Sequence, residues 1–217
     1  MAKPKIPNYK DKKDGRNIIV FPCNNKSNIK NGYFHFPKFT ALSPIKTNVT
    51  NENLCQARIV PQTSCYVLEI VYKKEISDNF ISDKSYLSID LGINNFATCF
   101  NDTDNSSFII NGKIIKSYNQ YYNKKSAEIK STLKTVNNQK TSKRLKRLCL
   151  KRENKINDFM HKTSRFIVNY CLQNGIWNIV IGHNDFWKQE VNLGKSTNQK
   201  FTQIPFNKFI QQLQYKC

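Results

Sequence analysis

The chain has 217 residues, with 35 Lys and Arg against 15 Asp and Glu and a formal charge of +20. Its 39% hydrophobic and 12% aromatic content allows a packed core and argues against wholesale disorder, and its length suits one large domain or two small ones. The charge excess points to a polyanion, most simply nucleic acid, with a membrane surface as the alternative.

No apolar run reaches the roughly 18 residues of a membrane span, and Met1-Ala2-Lys3-Pro4-Lys5 lacks the apolar core of a signal peptide. An intracellular protein is expected. The seven Cys are scattered singly, with no C-x-x-C pair, so no zinc site is expected within this chain. They read as free thiols. Cys65, Cys99 and Cys171 lie in apolar patterns and are expected as small core residues.

Residues 1–16 are rich in Lys, Asp and Pro and read as a loose basic tail. Residues 17–76 read as all-β. Candidate strands are Asn17–Phe21, Tyr33–Phe36, Ile45–Val49, Gln56–Val60 and Cys65–Tyr72, separated by turn-prone stretches such as Asn31-Gly32 and Pro61-Gln62-Thr63-Ser64. Short strands at this spacing suggest a small, partial β-barrel with exposed strand edges. Asp78, Asn79, Ser82, Asp83 and Lys84 suggest a linker into a second domain, 85–217.

That domain opens on Leu87-Ser88-Ile89-Asp90-Leu91. Apolar and polar residues alternate with the period of a pleated strand. Gly92 and Asn94-Asn95 suit a turn that tolerates positive φ. Strands Ala97–Phe100 and Ser107–Ile110 are expected to follow, giving three antiparallel strands, with a turn at Asn111-Gly112 before Lys113–Ile115. Asp90 is flanked by apolar residues, and a buried carboxylate would need compensation, for which a divalent metal is suited. The alternative is a strand-end residue that caps the turn.

A helical hairpin is expected over 118–173, as Tyr118–Asn137 and Ser142–Gln173. The second helix carries an apolar stripe through Leu145, Leu148, Ile156, Phe159, Met160, Ile167 and Cys171. From Lys116 to Lys155 there are thirteen Lys and Arg against Glu128 and Glu153, a net +11. Such a run can be merely a solvated face. Yet salt-bridge lacing would need more acids, and like charges four residues apart repel. A phosphate backbone would relieve that repulsion, so Lys143, Arg144, Lys146, Arg147, Lys151 and Lys155 are candidate nucleic-acid contacts. Asn174-Gly175 signals the helix end, and Trp177–Ile181 reads as a fourth, parallel strand. The following loop, Gly182–Lys200, offers Trp187, Lys188, Asn192, Lys195 and Asn198 as further contacts. Trp187 either stacks on a base or pins the loop to the core. A last helix begins at Ile204-Pro205-Phe206.

The string Ile89-Asp90-Leu91-Gly92-Ile93-Asn94-Asn95-Phe96-Ala97-Thr98 closely resembles the first RuvC motif of the TnpB (OrfB) family, transposon-associated relatives of the type V CRISPR nucleases. A second resembling block runs from Ile181-Gly182-His183-Asn184 through Trp187-Lys188-Gln189-Glu190 and Asn198-Gln199-Lys200-Phe201 to Gln203-Ile204-Pro205-Phe206. The resemblance covers roughly residues 30–217. It implies a wedge-like partial β-barrel followed by an incomplete RNase H-like (RuvC) domain. It also implies an RNA-guided, metal-dependent DNA endonuclease involved in DNA transposition and recombination, with DNA and a guide RNA as partners and Mg²⁺ held at Asp90. The family's familiar pattern has a Glu where this chain has Gly182. Glu190 and Asp185 are substitute candidates, and the remaining carboxylate motifs would lie past residue 217. The resemblance therefore implies a chain truncated at both ends and without cleavage activity on its own. A non-catalytic nucleic-acid-binding remnant is the alternative, and a basic structural protein is a third reading.

Overall fold

A computed structural model describes residues 15–23, 28–75, 84–182 and 203–217. The chain divides into two compact units, Met1–Asp78 and Asn79–Cys217. Most of the expected basic tail, residues 76–83 of the expected linker and most of the Gly182–Lys200 loop lie outside the described residues.

The first unit contains two small sheets. One has the order β1 (Ile19–Pro22), β5 (Leu54–Pro61), β6 (Tyr66–Tyr72), and the other β2 (Ile29–Lys30), β3 (Tyr33–Phe34), β4 (Ile45–Lys46). All the pairings are antiparallel. The described strands form two separate sheets and no closed barrel. Asn31 and Gly32 take φ of 51° and 76°, the conformation of a primed turn, whose twist matches that of the strands it joins. The core is a cluster of rings: Phe36 lies edge-on to Phe21 at 5.5 Å and to Phe34 at 5.0 Å. The Asn51 side chain acts as a surrogate strand by accepting from Ile29 N–H and donating to Ile29 O, both at 2.8 Å. Arg16 donates to the Cys65 carbonyl at 2.6 Å and stacks over Tyr66. Ile18, Ile19 and Val20 remain about half exposed, as expected at an uncovered edge.

The second unit is built on a four-stranded sheet in the order β10 (Asn178–Gly182), β7 (Tyr86–Leu91), β8 (Asn95–Asn101), β9 (Ser107–Asn111). The first three strands in sequence are antiparallel and β10 joins parallel to β7, as the sequence reading expects. The helices are α1 (Lys113–Asn137), α2 (Lys143–Gln173) and α3 (Phe206–Gln214). Lys113–Ile115, expected to precede a helix that starts at Tyr118, is instead the first turn of α1. The Asn111 side chain accepts from Lys113 N–H at 2.8 Å and turns the chain into the helix, where Ile115 is fully buried.

Ser142 caps α2 by accepting from Leu145 N–H at 3.2 Å. At its other end Gly175 takes φ 64°, and Ile176 N–H reaches back to Cys171 O at 2.9 Å, a Schellman closure. The helices cover one face of the sheet. Phe96 sits at the centre of that core, against Phe159, Phe206 and Phe209 at 5.2, 5.9 and 4.8 Å. Leu87, Ile89, Ala97, Cys99 and Met160 join it. Cys99 and Cys171 are buried as expected. Cys65 is not: it is half-buried beside the turn at Ser64, and Cys23 takes a buried place in the first unit instead. The opposite face of the sheet carries Tyr86, Phe100, Ile109 and Val180, all substantially exposed.

Candidate functional site

Asp90 lies near the end of β7, paired with Thr98 on one side and Gly182 on the other. Its pleat direction is that of Ser88, away from buried Ile89 and Leu91. The expectation of a buried carboxylate is therefore corrected: Asp90 is exposed, on the face that the helices leave open. Water solvates it, and desolvation does not by itself demand a cation there.

A Cβ placed on Gly182 would lie 3.9 Å from Asp90 Oδ1 and 3.7 Å from Ile89 O. Position 182 thus projects onto the open face next to Asp90, and this chain provides no side chain at that position. Among the described residues no three His, Cys, Asp or Glu side chains gather around a common point. The described donors do not fit a divalent-metal site, since Asp90 offers one carboxylate and its ladder neighbours offer a hydroxyl and a hydrogen. Glu190, Asp185, Trp187, Lys188, Asn192, Lys195 and Asn198 lie outside the described residues.

The turn after Asp90 needs glycine for a different reason from the expected one. Positive φ occurs at Gly32 and Gly175 among the described glycines, but not at Gly92. Close approach is what excludes a side chain: a Cβ on Gly92 would come within 2.7 Å of Asn95 O. A Cβ on Gly112 would meet Ile93 O at 2.7 Å and Asn94 O at 3.1 Å. Gly112 N–H donates to Asn94 O at 2.9 Å, and the Lys116 ammonium donates to the Asn94 side chain. The turn and the start of α1 are thereby fastened together.

The other candidate site is the groove between α1 and α2, with a volume of about 1200 Å³. Lys143, Arg144, Arg147, Lys151 and Lys155 line it, as does Lys125 from α1. Of the cations singled out from sequence on α2, Lys146 alone does not line it. Arg152 has a fixed role. Its Nε donates to Asn119 Oδ1 at 2.7 Å and its Nη2 to Gln203 O at 3.2 Å, which ties both helices to the segment before α3. The sole ion pair at the groove among the described residues is Lys125–Glu128, at 2.8 Å. It lowers the Glu128 pKa and raises that of Lys125.

Sequence reasoning missed the other half of this groove. Tyr118, Tyr121 and Tyr122 project from α1 into it. Their spacing of three and four residues was available as a signal, because it places all three on one helical face. Lys155 Nζ lies 4.7 Å from the centre of the Tyr118 ring and the Arg152 guanidinium 5.2 Å from that of Tyr122. Burial pushes the Tyr122 hydroxyl pKa up, with Cys149 adding to the shift and Ser126 opposing it. A second groove of about 520 Å³ shares Tyr118 and Lys155 with the first and runs on past Ile109, Phe159 and Phe166.

The sheet, its helical cover and the basic hairpin define a mixed α/β protein with an open sheet face and a basic groove. Residues 69–187, more than half of the chain, match the OrfB_IS605 family model, described as probable transposase. The chain belongs to that family, which is the TnpB (OrfB) family. No curated protein matches it. A chain in a solved structure, "Cryo-EM structure of the Cas12f1-sgRNA-target DNA complex", is 12% identical with a TM-score of 0.44, over 92% of this chain and 50% of that one. The present chain thus spans about half the length of that protein. Among the described residues, no helix is long and apolar enough to cross a membrane.

Proposed function

We propose that this chain is a TnpB-like, nucleic-acid-binding protein of DNA transposition. In this reading its basic hairpin holds a phosphate backbone, and Asp90 marks the place of a metal-dependent nuclease centre. The observation that carries the reading is the row of cations on α2. Lys143, Arg144, Arg147 and Lys151 line one groove, and none of them forms a salt bridge among the described residues, although Glu128 lies within electrostatic reach of Arg144. Unpaired like charges at helical spacing repel one another, and a bound polyanion relieves that repulsion while releasing counterions. DNA and a guide RNA are the partners this reading assigns.

A second reading, a remnant that binds nucleic acid without cutting it, is favoured by Gly182. A Glu in its place would stand beside Asp90, and nuclease chemistry of the two-ion type needs several carboxylates around the ions. Mg²⁺ therefore enters the first reading only with donors from outside the described residues.

The test is fluorescence anisotropy with labelled DNA and RNA across a salt series. The triple variant Lys143→Ala/Arg144→Ala/Arg147→Ala is expected to weaken binding and flatten the salt slope by about 2 to 3. An unchanged slope would remove the assignment of this groove. A Mg²⁺ cleavage assay separates the two readings: nicking that Asp90→Ala abolishes selects the nuclease, and no nicking selects the remnant.

A further inference from the structure

The groove between α1 and α2 differs from a plain basic face. A duplex presents phosphates and sugars outward and keeps its bases stacked, so a surface that only grips duplex needs cations and no recessed rings. Here three tyrosines lie within the cleft. Tyr121 is 61% exposed, so its ring is available to a ligand. Tyr118 and Tyr122 each have one cation over the ring, which places positive charge beside the aromatic surface. Such charge is suited to a stacked base and its phosphate. The volume, about 1200 Å³, exceeds the ~300–1,000 Å³ of an ordinary small-ligand cleft.

We propose that this groove binds an unpaired nucleic-acid strand, with the exposed Tyr121 ring stacking on a base while Lys143, Arg147 and Lys151 hold its phosphates. The inference rests on the nucleic-acid reading above and narrows it to a single strand. Its dimensions agree. Lys143 to Lys155 spans about 18 Å of helix, which accommodates roughly five bases at the stacked spacing of ~3.4 Å. The second groove, entered past Tyr118 and Lys155, continues the path toward Ile109 and Phe166, with Lys162 and Asp158 also lining it.

The experiment uses the full chain and labelled oligothymidylate, oligouridylate and a mixed-sequence duplex, read by anisotropy at one salt concentration. Both single strands are expected to bind more tightly than the duplex, and their ratio tells DNA from RNA as the occupant. Tyr121→Ala, at an exposed position that should not disturb folding, is expected to weaken single-strand binding by about 5- to 100-fold. Tyr121→Phe is expected to restore it. As a second readout, 2-aminopurine in the strand should lose fluorescence on binding the wild-type chain. Tighter duplex binding, an unchanged Tyr121→Ala affinity or unquenched 2-aminopurine overturns the stacking proposal. If the triple variant Lys143→Ala/Arg147→Ala/Lys151→Ala still loses affinity in those cases, the nucleic-acid reading survives alone. If that variant binds every strand as the wild type does, or polyglutamate competes as well as nucleic acid, both readings fall.

Discussion

Replacing Gly182 by Glu would put a second carboxylate beside Asp90. Position 182 pairs with Asp90 across the parallel β10–β7 ladder. A Cβ there makes only ordinary contacts, at 3.7 and 3.9 Å, so the side chain enters without moving the backbone. The two carboxylates then share an open face. At a separation of ~5 Å and an effective dielectric constant between about 20 and 80, their repulsion is roughly 1–3 kcal/mol. A divalent cation removes that repulsion and is attracted by both groups. Titration calorimetry with Mn²⁺ should therefore show at least about tenfold tighter binding by Gly182→Glu than by the wild type, a factor worth about 1.4 kcal/mol. Gly182→Ala should match the wild type. Adding Asp90→Asn to Gly182→Glu should abolish the gain, and Asp90→Asn alone supplies the fourth corner of a double-mutant cycle on the pair. A variant that binds Mn²⁺ no better, or that keeps its gain without Asp90, would refute the placement of residue 182 beside Asp90.

Three further outcomes follow from the second unit. Phe96→Ala removes the ring at the centre of the Phe159, Phe206 and Phe209 cluster and should cost about 3–5 kcal/mol in urea unfolding. His161, whose Nε2 meets Gln212 Nε2 on α3 at 3.2 Å, has its pKa lowered by burial, then by Lys216 and Lys208, with Asp158 opposing. Because the folded value lies below the unfolded one of about 6.5, its contribution is complete above that pH and lost as pH falls through the folded value. The urea midpoint of the wild type should therefore drop more than that of His161→Gln between about pH 7.5 and 5.5. Burial, reinforced by Cys171, pushes the Cys99 thiol up to about 12, and burial with Cys217 nearby pushes Cys171 up to about 11. Native-state alkylation near pH 8 should therefore spare both while Cys55 and Cys65 react, as peptide mapping would show.

The strands of the second unit were legible because each has a clear period or a β-branched run and a turn signal beside it. The ends of α2 were legible because Ser142 and Gly175 each do a local job that only a few residue types can do. The start of α1 was misread because Lys113-Ile114-Ile115 is as apolar as a strand, and the deciding contact is the Asn111 side chain on Lys113 N–H. The exposure of Asp90 was misread for a related reason. Alternation tells which residues share a face, but not which face the helices will cover. The cations of the groove could be read from charge alone. Its tyrosines could not be assigned to it, because their role depends on where α2 lies across α1, and that register is set by tertiary packing.

The fastening of Gly112 to the β7–β8 turn makes the turn and α1 one mechanical piece. At 25 residues α1 is a stiff rod about 37 Å long, anchored where no Cβ fits. A load applied along that rod is delivered at Asn94, four residues from Asp90, with little slack to absorb it. The foot of the hairpin is therefore tied to the end of the carboxylate strand.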